Sequence, residues 1–360
     1  MMGFDIQTLP RQLSKLYSKN GYEPYTMSKF EEYALYLRNK DFLVSDRVLT
    51  FTDTDGKLMA LKPDVTLSII KNTRPSTGAI RKLFYQENVY RPGKSGQGFR
   101  EIMQIGLECM GQVDAYCIFE VLRLAILSLR TISNACVLDI SHMGLLSRAL
   151  DEAGLSGKLR KMALAAISSK NLHELRELCS SKTLETMAVL CGKPAQVLPQ
   201  LQALFPDAPE LAELKILIAA LESAGCADCI NIDFSVVNDM QYYNGIVFRG
   251  FVEGVPEGVL SGGEYDGLME RMNRKEKAIG FALYPDLLER LMPPSKEEAP
   301  KALLLYSTDS PLEAVAQAVQ KLAQQEIAVN AQPDTGNVSA AGCRVYRLEG
   351  KEVRYLGNDA

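Results

Sequence analysis

Residues 81–111, RKLFYQENVYRPGKSGQGFREIMQIGLECMG, restrict what this chain can fold into more than any other stretch. Phe84 to Arg91 alternates roughly between apolar and polar residues, Gly93 to Gly98 breaks regular structure, and Phe99 to Glu108 alternates again. The pattern predicts two antiparallel strands joined by a flexible loop, with Arg91 and Arg100 on either side of it. Strand side chains alternate between faces, so Gln104, Gly106 and Glu108 share one face. Gly106 is expected to leave room there for something to lie on the sheet. Such a surface is a floor for a small molecule.

Composition narrows the class. A chain of 360 residues with 47% hydrophobic content supports one large domain plus one or two smaller ones. It has no run of eighteen uncharged apolar residues, and MMGFDIQTLPRQL lacks the basic-then-apolar layout of a signal peptide. No membrane attachment and a cytoplasmic location are therefore expected. Net charge is −4, from 40 basic and 44 acidic residues, which leaves no electrostatic footprint for nonspecific nucleic-acid binding. The eight cysteines are scattered, mostly in apolar runs where a thiol acts as a small hydrophobe, and are expected to be reduced. The single CxxC, Cys226 to Cys229, has no second pair to complete a zinc site, so no metal is expected. His142 and His173, the only histidines, lie in structural settings and leave no obvious general base.

Along the chain, Ile6, Leu9, Leu13 and Leu16 have helical spacing, followed by a short helix around Phe30 to Leu37 and strands near Val48 to Thr52 and Leu58 to Leu61. Pro63 ends the second strand and Asp64, or a neighbour, caps the next helix. Residues 114–131 form a long amphipathic helix, Cys136 to Ile140 a buried strand, and about 145–224 an inserted helical region without strand signal. Strands return at Ile230 to Val237, Ile246 to Phe251, Val259 to Leu260 and Ala278 to Leu283, while GGEYDG reads as a turn. MPPSKEEAP, 292–300, is a linker, which divides the chain into residues 1–291 and a small α/β tail, 301–360.

The order GYEPYTMSKFEEY, LMALKPDVT, the hairpin with FREIMQIGLECMG, MQYYNGIVF, LSGGEYDG and AIGFAL resembles the catalytic domain of histidyl-tRNA synthetase, a class II synthetase, over roughly residues 4–291. The resemblance implies an α+β fold: a mostly antiparallel sheet flanked by helices, usually dimeric, with a helical insertion. It also implies a histidine pocket. In the family's terms Asp64 and Thr66 match residues that hold the α-amino group, Gln104 and Glu108 match its glutamine and glutamate, and Tyr242, Tyr243 and Tyr265 match tyrosines around the imidazole. Arg91 matches the motif 2 arginine. Tyr242 and Tyr243 point to opposite faces if their segment is extended.

Other positions depart from the synthetase pattern. Asn238 stands where an arginine promotes adenylate formation, the loop after Arg91 reads RPGKSG without the family's acidic residue, and Leu287 takes the place of the arginine on the γ-phosphate. Glu264 replaces a basic residue. A chain that keeps the amino-acid pocket, lacks the ATP apparatus and ends in a short tail is similar to the regulatory subunits of ATP phosphoribosyltransferase. That family implies no catalysis of its own, no tRNA and no cofactor. It implies instead a homodimer within a hetero-oligomer that contains the short-form catalytic subunit, with feedback inhibition by free histidine in the first step of histidine biosynthesis. An active histidyl-tRNA synthetase, and a histidine-sensing paralogue with another partner, are the competing expectations.

Overall fold

The computed structural model describes residues 6–40, 43, 47–74, 78–93, 98–237, 243–291, 302–325, 328–336 and 343–358. Asn238, Tyr242, the hairpin loop 94–97 and the linker 292–300 lie outside the described residues. The chain divides into two compact units, Met1–Met292 and Pro293–Ala360.

In the first unit a nine-stranded sheet runs in the order Glu23–Pro24, Arg81–Pro92, Phe99–Gly111, Lys277–Leu283, Leu260–Glu264, Ile246–Val252, Cys136–His142, Ile230–Asp233, Cys191–Gly192. All pairings are antiparallel except the pairing of Glu23–Pro24 with the hairpin's first strand and that of Cys136–His142 with Ile230–Asp233. The hairpin has the predicted form but longer strands, and Arg91 lies opposite Arg100.

One face of the sheet carries helix Ala115–Ile132, whose residues Ile118, Val121, Leu122, Ala125 and Leu129 are all buried. Asp114 caps it by accepting the Cys117 N–H at 3.0 Å, which satisfies one of the donors that the first turn leaves unpaired. Helix Leu9–Lys19 packs Leu9, Leu13 and Tyr17 against the same core, and the Tyr17 and Ser128 hydroxyls bond at 2.9 Å.

Four expectations need correction. Phe30–Glu32 is a strand, joined to Leu58–Leu61 and Thr50–Thr52 in a three-stranded sheet, so the short helix starts only at Tyr33. Pairing with Leu58–Leu61 overrides the local helical pattern there. The region 145–224 is helical but for Cys191–Gly192, which adds an edge strand beside Ile230–Asp233. The strand expected over Ile230 to Val237 stops at Asp233, whose carboxylate accepts the Ser235 N–H at 2.8 Å and turns the chain. GGEYDG is not a turn, because Leu260–Glu264 is a central strand. Its glycines answer crowding: a Cβ on Gly262 would stand 2.3 Å from the Gly280 carbonyl oxygen, and one on Gly263 would stand 2.6 Å from the Tyr243 ring.

The second unit is a four-stranded sheet in the order Val329–Pro333, Ala302–Tyr306, Arg344–Glu349, Glu352–Asn358, with helix Leu312–Ala323. Leu304, Ala314, Val315, Ala318, Leu322 and Leu348 form its core between sheet and helix.

Candidate functional site

The segment LKPDVT builds the first wall. Lys62 is fully buried, and its ammonium meets Glu87 on the hairpin at 2.8 Å, while its carbonyl accepts the Tyr90 N–H at 2.9 Å. These bonds lash the segment to the hairpin. Pro63 ends the strand and cannot donate a backbone hydrogen bond. Asp64 then adopts extended geometry and caps helix Val65–Asn72, with Oδ1 accepting the Leu67 N–H at 2.9 Å. The Arg91 Nε donates to the Pro63 carbonyl at 3.0 Å, and its guanidinium is close enough to stabilise the charged form of Asp64. Burial outweighs that effect and raises the Asp64 pKa.

The second strand of the hairpin supplies the floor. Gln104 and Glu108 are both buried, at 3% and 2% exposure, on the same face. The Thr66 hydroxyl donates to Glu108 Oε1 at 2.8 Å and the Tyr265 hydroxyl to Oε2 at 2.6 Å. Both bonds favour the carboxylate, yet burial is the larger effect and Asp64 repels a second charge, so the Glu108 pKa is pushed up to about 8. The strand beside it leaves space for this side chain, since a Cβ on Gly280 would fall 1.8 Å from Glu108 Oε2. Gly106 does not leave room for a ligand. The Tyr85 hydroxyl, from the residue directly opposite, stands 2.4 Å from where a Cβ would sit.

Asp64, Thr66, Arg91, Gln104, Glu108, Tyr243 and Tyr265 line one open cleft. Tyr242 cannot be placed, being outside the described residues. Sequence reasoning did not find Tyr85, Ser261 or Tyr284, which also line the cleft. Tyr85 was accessible in principle, because period-2 alternation puts it on the same face as Arg91. Ser261 and Tyr284 carry no local signal; their hydroxyls meet at 3.2 Å only because two strands pair.

Residues set aside on sequence grounds fall elsewhere. Glu264 is buried and accepts the Ile246 N–H at 2.6 Å, with its pKa raised to about 7 chiefly by burial. It ties two strands together and is not among the residues lining the cleft. Leu287 packs against the main hydrophobic core. His142 caps helix Met143–Glu152 through Nδ1 and places Nε2 3.3 Å from Glu213. Cys226 and Cys229 are buried free thiols, and among the described residues no cluster of three or more histidine, cysteine or acidic side chains is arranged to hold a metal. No described helix is long and apolar enough to cross a membrane.

The histidyl-tRNA synthetase family model matches residues 5–288. The ATP phosphoribosyltransferase regulatory subunit of Thermus thermophilus is 31% identical over 306 residues, covering 82% of this chain and 81% of its own. A Bacillus halodurans crystal structure described as an ATP phosphoribosyltransferase regulatory subunit/histidyl-tRNA synthetase superposes with a TM-score of 0.73 at 24% identity, covering 93% of this chain and 90% of its own. A chain of the ATP phosphoribosyl transferase (HisG:HisZ) complex from Thermotoga maritima superposes with a TM-score of 0.62 at 20% identity, covering 78% and 97%.

Proposed function

The chain belongs to the histidyl-tRNA synthetase family, and we propose that it acts as the regulatory subunit of ATP phosphoribosyltransferase, with free histidine as the ligand of its cleft. It works in the first step of histidine biosynthesis, in the cytoplasm, as a homodimer within a hetero-oligomer that contains the short-form catalytic subunit. It has no catalysis of its own and does not engage tRNA.

The observation that carries this reading is the charge of the cleft. Its described lining holds two carboxyl groups, Asp64 and Glu108, the second kept protonated near neutrality by burial, against a single cation, Arg91. A triphosphate needs several converging cations or a metal to offset its charge, so this lining opposes amino-acid activation. Histidine has the complementary needs. Its ammonium requires an anionic acceptor, which Asp64 offers, and its imidazole requires hydrogen-bond partners between aromatic walls, which Glu108, Gln104, Tyr243 and Tyr265 offer. The name carried by the Thermus relative points the same way.

Feedback requires histidine to bind one state of the complex more tightly than another, since equal affinity shifts nothing. The test is reconstitution with a short-form catalytic subunit, measuring phosphoribosyl transfer to ATP. We expect stimulation by this chain, inhibition by histidine, and weaker inhibition with Glu108→Ala while assembly persists. Histidine-dependent ATP–pyrophosphate exchange by the isolated chain would overturn the reading.

A further inference from the structure

We propose that the Ser261–Tyr284 hydroxyl pair receives the carboxylate of the amino acid held in the cleft and so makes the site prefer an amino acid to its amino-alcohol analogue. The inference rests on the reading of this cleft as a histidine site and adds the chemistry of its third corner.

The described lining divides by what is already committed. The Thr66 and Tyr265 hydroxyls both donate to Glu108. The Arg91 Nε donates to the Pro63 carbonyl, beside Asp64, and the terminal N–H groups of its guanidinium are a second, charged donor at the cleft. The Ser261 Oγ and Tyr284 hydroxyl bond to each other at 3.2 Å. In such a pair one hydroxyl donates to the other, and the accepting hydroxyl keeps its own proton free for a third group. The pair is therefore a donor that remains available while internally bonded, which is what an anion requires.

Sheet register places this donor at a suitable distance. Gly263 faces Gly280 and Gly280 faces Glu108, which makes one row across three strands. Ser261 faces Ala282 two residues along, in the next row on the same face. The Glu108 carboxyl lies over Gly280, and Ser261 is one strand across and two residues along from there, a diagonal of about 8 Å at strand spacings of about 4.8 Å and about 3.4 Å per residue. Histidine measures about 6 Å from its far ring nitrogen to its carboxylate at bond lengths near 1.5 Å. Between the two rows the floor is small, with Gly280 and Ala282 lining the cleft. A ligand whose ring meets Glu108 can thus lay its other end beside Ser261 and Tyr284. Neither hydroxyl brings charge, so the carboxylate is received without attracting a polyphosphate.

The experiment is calorimetric titration of the full chain and of its Tyr284→Phe and Ser261→Ala variants with L-histidine and with L-histidinol, which keeps ring and amine but replaces the carboxylate with a hydroxymethyl group. Each substitution deletes one oxygen and keeps the wall in place. A hydrogen bond to a charged group is worth enough that its loss weakens binding by about tenfold or more. We expect both variants to lose about tenfold or more for histidine and less than about threefold for histidinol. Equal losses for the two ligands, or unchanged histidine affinity in both variants, would overturn the assignment while leaving the histidine reading intact. Failure of the unaltered chain to bind either ligand would overturn both.

Discussion

Replacing Glu108 with glutamine should flatten the pH dependence of stability. Glu108 is 2% exposed with a pKa pushed up to about 8, against about 4.3 for a free glutamate. Between those values the folded chain holds a proton that the unfolded chain has released. Stability therefore falls as pH rises, is fully present below the unfolded pKa, and is lost by the time pH passes the folded one. Integrating the linkage relation from about pH 6 to about pH 8 gives a loss of about 2 kcal/mol from this residue. A glutamine side chain at this position would keep the volume and carry no titrating proton. The Tyr265 hydroxyl can turn to accept from the amide where it now donates to Oε2. Glu264, also raised, to about 7, titrates in both proteins and cancels in the comparison. Urea unfolding followed by far-ultraviolet circular dichroism suits a chain without tryptophan. The difference between native and variant stability should change by about 2 kcal/mol across this range, the native protein losing more on the alkaline side. Parallel curves would refute the claim that burial keeps this carboxyl protonated near neutrality.

Asp64→Asn separates two roles, because asparagine caps a helix about as well as aspartate, while the ligand ammonium loses its anionic partner. Stability should change by less than about 1 kcal/mol, and histidine affinity should fall by about tenfold or more in calorimetry. Gly280→Ala puts a methyl 1.8 Å from Glu108 Oε2 and 2.5 Å from the Leu107 carbonyl oxygen. The backbone atom cannot yield as a side chain can, so thermal unfolding should register a loss of about 1–3 kcal/mol, with histidine binding reduced along with it.

Legibility in the sequence followed the range of the interaction. The hairpin was readable because alternation over Phe84 to Arg91 and Phe99 to Glu108 is a local pattern, and the cap at Asp64 was readable because Pro63 punctuates it. Gly106 misled because the group that fills its space, Tyr85, belongs to the opposite strand and is set by register. The GGEYDG segment misled for a related reason. Its glycines look like turn residues in isolation and are instead demanded by neighbours at Gly280, Phe281 and Tyr243, all of them distant in the chain or across a strand. Ser261 and Tyr284 become partners only when two strands pair, so no local motif announces them. The contrast between retained pocket and altered ATP motifs depended on comparing aligned motifs. Periodicity alone gives no access to it.

The two strands that flank the helical insertion, Cys136–His142 and Ile230–Asp233, are direct neighbours, with Leu138 opposite Ile230. They run parallel, so the chain leaves at the far end of the first strand and re-enters at the near end of the second, and the insertion serves as the crossover that a short linker could not replace. Cys191–Gly192 ties it in, because this piece of the insertion covers the outer edge of Ile230–Asp233. Excising the insertion would uncover that edge, whose unpaired N–H and C=O groups are a template for pairing with another chain. A trimmed version would need a charged or proline-bearing edge to stay soluble, so the insertion also works as a guard against self-association.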